Sequence, residues 1–354
     1  MTGVPFFSDE ENARRKRRVL TEPLRLGKGE GIADLDLIVA ADFRNTPATH
    51  AITAHPSGVK IRNVRILFET DVWQPYWGRP YHDQPKNAIP SGCSGLNLAG
   101  TTGVDIDGLH IEGAPRFGIE GWDVAGMNLR RYSATRCGVG AHFAERAGGN
   151  QSWQVDQVRV WDTWGPPGGY PSRVRPGGWV GGDCWVSEGD RISLNRMEFS
   201  GEMFVGAKIC RGSIVTLTDI TTPTLMFQGS STPTPGEPGL VQLKVRGLYL
   251  NAATGYGDGA DTANKLQISW TVMAQLDGGY LIGNGKDGNA VQVTGGCHVE
   301  MRGFTIGGFN GERGKGNPAH ALELDVRDPV STINEDFETA NRFPNQQRIL
   351  RRAA

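Results

Sequence analysis

Nine segments of the chain carry one eight-residue phrase, apolar-x-apolar-x-x-apolar-x-apolar. They begin at Val59, Val104, Met127, Trp153, Ile192, Val215, Leu243, Ala274 and Val299; in the first, the apolar positions are Val59, Ile61, Val64 and Ile66. The shortest steps between starts are about 23 to 25 residues, and the longer steps contain excursions. Alternation with period 2 predicts strands, and the x-x step divides each phrase into two strand fragments with a change of chain direction between them. One such unit cannot bury its apolar face alone, so successive units must stack, each pairing with the units above and below. The phrase therefore predicts an all-β fold, a parallel β-helix solenoid of about 10–12 coils around an apolar bore. Sandwiches and barrels also alternate within strands, but nothing in them requires one phrase with the same internal step to recur nine times.

Composition agrees with a coil that bends often. Glycine accounts for 50 of 354 residues, and Gly58, Gly103, Gly108, Gly212, Gly247 and Gly303 fall at phrase edges or between the two halves. The division expected is an N-terminal cap or attachment segment over 1–30, a β-helix domain over 31–327 and a C-terminal tail over 328–354. Ser8 to Arg18 reads as a helix, with acids Asp9, Glu10 and Glu11 first and bases last, laid across the open end of the coil. Near the other end, Ser331 or Thr332 is placed to cap a second short helix. The five cysteines, Cys93, Cys137, Cys184, Cys210 and Cys297, are odd in number and lack CxxC spacing, so they read as small apolar core residues.

Net charge is −1, which gives no support to nucleic-acid binding. No apolar run approaches the ~20 residues of a membrane span, so no membrane insertion is expected. The first residues lack a secretory apolar region, so the reading is synthesis in the cytoplasm without a signal peptide. No phosphate loop, HExxH, GxSxG or Cys/His metal pattern occurs, and no cofactor is expected. Asp258 and Asp261, with Asn251 and Asn264 nearby, read as solvated loop residues ahead of a calcium site.

With the bore apolar, chemistry falls to outward positions and to the excursions. Two excursions, over residues 67–102 and 161–190, hold six of the nine tryptophans. The substrate-binding candidates are Trp73, Trp77, Arg79 and His82 in the first, and Trp161, Trp164, Arg173, Arg175 and Trp179 in the second. Both leave after the second half of a phrase, at Ile66 and Val160, so they share one side of the solenoid and wall a groove floored by the coils starting at Val104 and Met127. Aromatic faces flanked by Arg, His and carboxylates suit an oligosaccharide, whose C–H faces stack on rings while hydroxyls take directional hydrogen bonds.

The phrase also aligns outward columns. The fourth position reads Arg62, Asp107, Arg130, Asp156, Asn195, Thr218; the seventh reads Arg65, His110, Ser133, Arg159, Glu198; Glu112, Thr135 and Trp161 lie one step further out. Asp107 and Asp156 fall two rungs apart, roughly 9–10 Å, near the upper end of what inverting glycoside hydrolysis uses. An arginine between them lowers both pKa values, which favours a structural ladder. His110 beside Arg159, with Glu112 close by, offers instead the base and cation of a lyase or epimerase. The catalytic candidates are thus Asp107, His110, Glu112, Asp156 and Arg159.

Over residues 31–327 the repeated phrase resembles the right-handed, pectate-lyase-like parallel β-helix superfamily, of the phage tailspike and polysaccharide-degrading kind. The resemblance rests on the repeat and not on a catalytic signature. It implies a virion-associated protein at a phage tail that binds, and in some members cleaves, a bacterial surface polysaccharide or oligosaccharide. It also implies a homotrimer with solenoids side by side, in contact with other virion proteins and burying apolar residues of one outer face. A free-standing polysaccharide lyase, glycoside hydrolase or epimerase is the first alternative; a structural tail or capsid component without glycan chemistry is the second.

Overall fold

The computed structural model describes residues 6–44, 48–70, 92–144, 150–163, 183–206, 213–229, 241–251, 266–283, 290–308, 322–324 and 331–344. Their strands form two all-parallel sheets, one of twelve strands and one of eleven. Strands alternate between the sheets along the chain, so each coil contributes one strand to each. The fold is a parallel β-helix. The first sheet holds the repeated phrase, as in β5 (Val59–Phe68), β7 (Thr102–Glu112), β9 (Ala125–Thr135), β11 (Gln151–Trp161) and β13 (Asp190–Phe199). The second sheet holds shorter strands, among them β6 (Ser94–Asn97), β8 (Phe117–Trp122), β10 (Val139–Ala144) and β12 (Asp183–Glu188).

Each phrase lies within a single strand, not in two fragments. Its fifth residue takes a left-handed conformation: Asn63 (φ 50), Gly108 (79), Arg131 (52), Gln157 (57), Arg196 (51), Asp219 (53), Gly247 (69), Gly278 (72) and Gly303 (72). One left-handed residue offsets the alternation by one place, so that positions 1, 3, 6 and 8 all face the bore while pairing to both neighbouring strands continues. Asp34 (φ 52) marks a further phrase, with Ile32, Leu35 and Leu37, in β3 (Gly31–Val39). Buried residues from Leu20 to Phe337 form one continuous core along the bore. Cys93, Cys137, Cys184 and Cys297 are buried free thiols within it, and burial pushes the Cys93 and Cys137 thiols up to about 12. Cys210 lies outside the described residues.

The N-terminal helix α1 is short, Asp9–Arg14, with a Ser8–Glu11 capping box. It stops there because the next residues form a strand of the first sheet, β1 (Lys16–Leu20), paired in parallel with β3. The coil thus starts before residue 31. Nor does α1 close the end of the coil; it lies against the outer face of the first sheet. Arg15 Nε bonds Asp36 Oδ1 at 2.7 Å, Asn63 Nδ2 bonds the Glu11 carbonyl at 2.8 Å, and Arg131 Nη1 reaches Glu11 Oε1 at 2.9 Å.

At the other end, β21 (His298–Gly307) pairs with β23 (Thr332–Ile333), and α2 (Phe337–Ala340) follows, starting after Asp336 and not at Ser331 or Thr332. Phe337 is fully buried against Phe343. Asn334 and Asn341 accept from the Met301 and Phe304 amides, and the Asn341 side chain donates to the Met301 and Phe337 carbonyls. These amides satisfy backbone groups that a further coil would otherwise pair. Among the described residues no helix is long and apolar enough to cross a membrane.

Candidate functional site

Strand register fixes the outward columns. The fourth-position column runs Arg62, Asp107, Arg130, Asp156, Asn195, Thr218, with no coil between Arg62 and Asp107, and continues through Arg246, Asp277 and Arg302. The seventh-position column runs Asp36, Arg65, His110, Ser133, Arg159, Glu198, Thr221, Tyr249, Tyr280, Thr305. Glu112, Thr135 and Trp161 also align.

The ladder's ion pairs differ in part from those the alternation predicts. Arg62 turns to Asp105, and Asp107 is held by Arg131 Nε at 2.5 Å and by Arg130 at 3.5 Å. Asp156 is held by Arg196, whose Nε lies 2.7 Å from Oδ1. Arg131 and Arg196 occupy left-handed fifth positions, and sequence reasoning passed over both. The signal available was a long basic side chain where that column otherwise favours Gly, Asn or Asp. Partial burial of Arg131 opposes its charge, yet hydrogen bonds to Asp107 and Glu11 hold its pKa above the usual arginine value.

His110 is 2% exposed although it stands on an outward column. Its Nδ1 lies 2.9 Å from Ser133 Oγ, its Nε2 lies 3.7 Å from Glu112 Oε2, and its ring stacks with Trp161 at 6.1 Å and 25°. Burial lowers the His110 pKa against the opposing pull of Glu112, which favours the neutral ring. The contact with His110, aided by Arg136 at 3.5 Å, lowers that of Glu112 despite partial burial. Arg159 pairs with Glu198 at 3.2 Å and lies over the Phe6 ring at 4.6 Å. The structure therefore brings together His110, Glu112, Ser133 and Trp161, with Asp107 and Asp156 each already paired to arginine.

Trp73, Trp77, Arg79, His82, Trp164, Arg173, Arg175 and Trp179 lie outside the described residues, as do Asp258, Asp261 and Asn264. Their points of attachment are described. One excursion joins β5 to β6 and the other joins β11 to β12, each leaving the first sheet and entering the second, with β7 and β9 between them. Trp185, at the end of the second excursion, is a fully buried core residue packed on Phe143 and Phe199.

A second polar cluster, not visible in the sequence, lies on the second sheet. Glu120 accepts from Ser94 Oγ at 2.8 Å, meets His50 Nε2 at 3.2 Å and pairs with Arg116 at 3.2 Å. Burial raises the Glu120 pKa, but His50, Arg116 and Ser94 together outweigh it and leave it lowered. Ser94 bonds the carboxylate and not the imidazole, so this is not the arrangement of an activated nucleophile. Its members are up to 70 positions apart in the chain, which is why no motif announces it.

Towards the C-terminal end the outer face of the first sheet is open and partly apolar. Tyr249 and Tyr280 are 39% and 50% exposed and stack at 5.8 Å, and Ile214, Met273 and Ile282 are exposed on the same sheet. A cavity of about 610 Å³ beside them is lined by Lys244, Gln275, His298, Glu300 and Asn334 among others. Among the described residues no group of three or more His, Cys, Asp or Glu is placed to hold a metal.

No protein-family model matches the chain, and no curated protein matches it. Among solved structures, tailspike protein 3 (TSP3, orf212) of bacteriophage CBA120 is similar, with 12% identity and a TM-score of 0.41, covering 93% of this chain and 55% of that one. The chain spans about half the length of that protein.

Proposed function

We propose that the chain is a tailspike-like, virion-associated β-helix that binds a bacterial surface polysaccharide in the groove between its two tryptophan-rich excursions. The observation that carries this reading is the attachment of both excursions at one corner of the coil, on either side of β7 and β9. Trp161, at the root of the second excursion and half-buried, adds an aromatic face beside the floor. Outward positions on the floor are polar and charged, as directional recognition of hydroxyl and carboxylate groups requires.

Binding is favoured over cleavage, because Asp107 and Asp156 are committed to ion pairs. In a cleaving form of the same groove, His110 acts as base with Glu112 orienting it, and Arg159 supplies the cation beside a substrate carboxylate. Exposed Ile214, Met273, Tyr249, Tyr280 and Ile282 on one outer face support a homotrimer with solenoids side by side.

The test is a panel of acidic and neutral bacterial polysaccharides, read for binding, for unsaturated products and for new reducing ends. Trp77→Ala and Trp179→Ala should each weaken binding by about 0.5–1.5 kcal/mol, the value of an aromatic face, with an unchanged unfolding transition. Undiminished binding in both variants places the ligand elsewhere, and no binding to any polymer leaves the structural tail component as the function.

A further inference from the structure

The N-terminal segment lies on the floor of this groove. From Arg15 back to Phe6 it crosses five consecutive strands of the first sheet, β3, β5, β7, β9 and β11. Arg15 Nε bonds Asp36 on β3, and its Nη1 bonds Asn63 Oδ1 on β5 at 2.9 Å. Phe7 sits against Gly108 on β7, where its ring carbon lies 3.1 Å from the position a Cβ would take. Glu11 and the Phe6 carbonyl both receive Arg131 Nη1 of β9, and the Phe6 ring lies under the Arg159 guanidinium of β11.

The segment is held almost wholly by these contacts. Helix α1 has six residues and none of them is buried. A helix that short does not persist in water without support from the face beneath it. Its two aromatic rings are half-buried, and the Glu11–Arg131 pair is partly exposed, of the kind that contributes little and weakens with salt, while Arg15, buried against Asp36, anchors the other end. Once released from Glu11 and from the Phe6 ring, Arg131 and Arg159 would each present a guanidinium to the carboxylates of an acidic polymer. Along the seventh-position column Arg65 and Arg159 lie on either side of His110 and Ser133, and the segment meets that column at Asp36 and again at Arg159. His110 and Ser133 are both buried between these two points, and the charge of Arg15 acts on His110.

We propose that residues 6–15 are a displaceable strap that closes the groove floor in the isolated chain, and that a carboxylated polysaccharide opens it by taking over Arg131 and Arg159 from Glu11 and Phe6. The second half rests on the glycan reading above; the first does not.

The test uses the full chain and a Phe6→Ala, Phe7→Ala, Glu11→Gln variant. Modification of His110 by diethylpyrocarbonate, read residue by residue by mass spectrometry, reports the cover directly. The expected result is a rise of at least ~tenfold in the His110 rate, with Tyr132 and Trp153 still protected from hydrogen exchange. The wild type in about 1 M salt should move the same way without any substitution. Oligogalacturonate should bind the variant ~tenfold more tightly than the wild type, and neutral dextran oligomers should show no difference. An unchanged His110 rate in both the variant and high salt overturns the strap. Equal oligogalacturonate affinity for the two chains overturns gating. A His110 that opens while no glycan binds either chain refutes the glycan reading and leaves the strap standing.

Discussion

At the fifth position of the phrase, side chains stand where backbone sterics favour glycine. Six of these left-handed positions carry Asp34, Asn63, Arg131, Gln157, Arg196 and Asp219. At Asn63, Arg131 and Arg196 the side chain makes hydrogen bonds that offset the strain. Gln157 has no such bond, so Gln157→Gly should raise stability by up to about 1 kcal/mol, the strain relieved less the entropy of glycine. Gly247→Ala should lower it by about 1–3 kcal/mol, since the added Cβ meets Asp219 Oδ1 at 2.5 Å as well as a positive φ. Gly278→Ala meets nothing within 4 Å and isolates the backbone effect alone, about 1 kcal/mol. Denaturant unfolding of the three variants measures the ordering.

Titration belongs to the same scale. Glu11, Glu112 and Glu120 have pKa values lowered from 4.5, so their stabilisation is present above 4.5 and is lost as pH falls through the folded values. For Glu11, burial acts against the shift, and the Ser8 amide and Arg131 overcome it. His110 is lowered from 6.5, so the unfolded chain takes up the proton first and stability declines as pH drops below 6.5. The unfolding midpoint should therefore fall in two stages on acidification, and His110→Asn should remove the first. A midpoint that is flat between about pH 7 and about pH 5 would refute the His110 part.

At the scale of elements, the phrase was legible and its turns were not. Apolar positions 1, 3, 6 and 8 predicted burial residue by residue from Val59 to Ile306, and the columns followed from the register. Sequence reasoning divided the phrase at its x-x step because that step was read as a change of direction, although Gly, Asn or Asp at six of the nine fifth positions marks a left-handed residue inside one strand. It extended the first helix to Arg18 because acids followed by bases fit a helix dipole; tertiary pairing of Lys16–Leu20 with β3 overrode that preference. The attachment points of the two excursions were legible as exit positions in the phrase. The course of the N-terminal segment over the first sheet was not, because contacts such as Glu11 with Arg131 span 120 positions.

For the whole molecule, the question is what covers the open face near Tyr249 and Tyr280. Stacked on neighbouring rungs and exposed, they form with Ile282 a patch that lateral packing of solenoids would bury. Light scattering should give a trimer mass, and a Tyr249→Ser, Tyr280→Ser variant should shift it towards monomer while the β-sheet circular dichroism is unchanged. A wild-type monomer at high concentration would sink the trimer.

The segment that runs from Phe6 to Arg15 also alters how the solenoid comes apart. A stack of coils in which each touches only its neighbours behaves as a one-dimensional zipper, free to fray from either end. Here one staple spans five rungs near the start, from Asp36 to Arg159. Fraying from that end must first lift this segment, so salt or an acidic ligand that displaces it should let β1 and β3 exchange their amide hydrogens earlier than in the strapped chain.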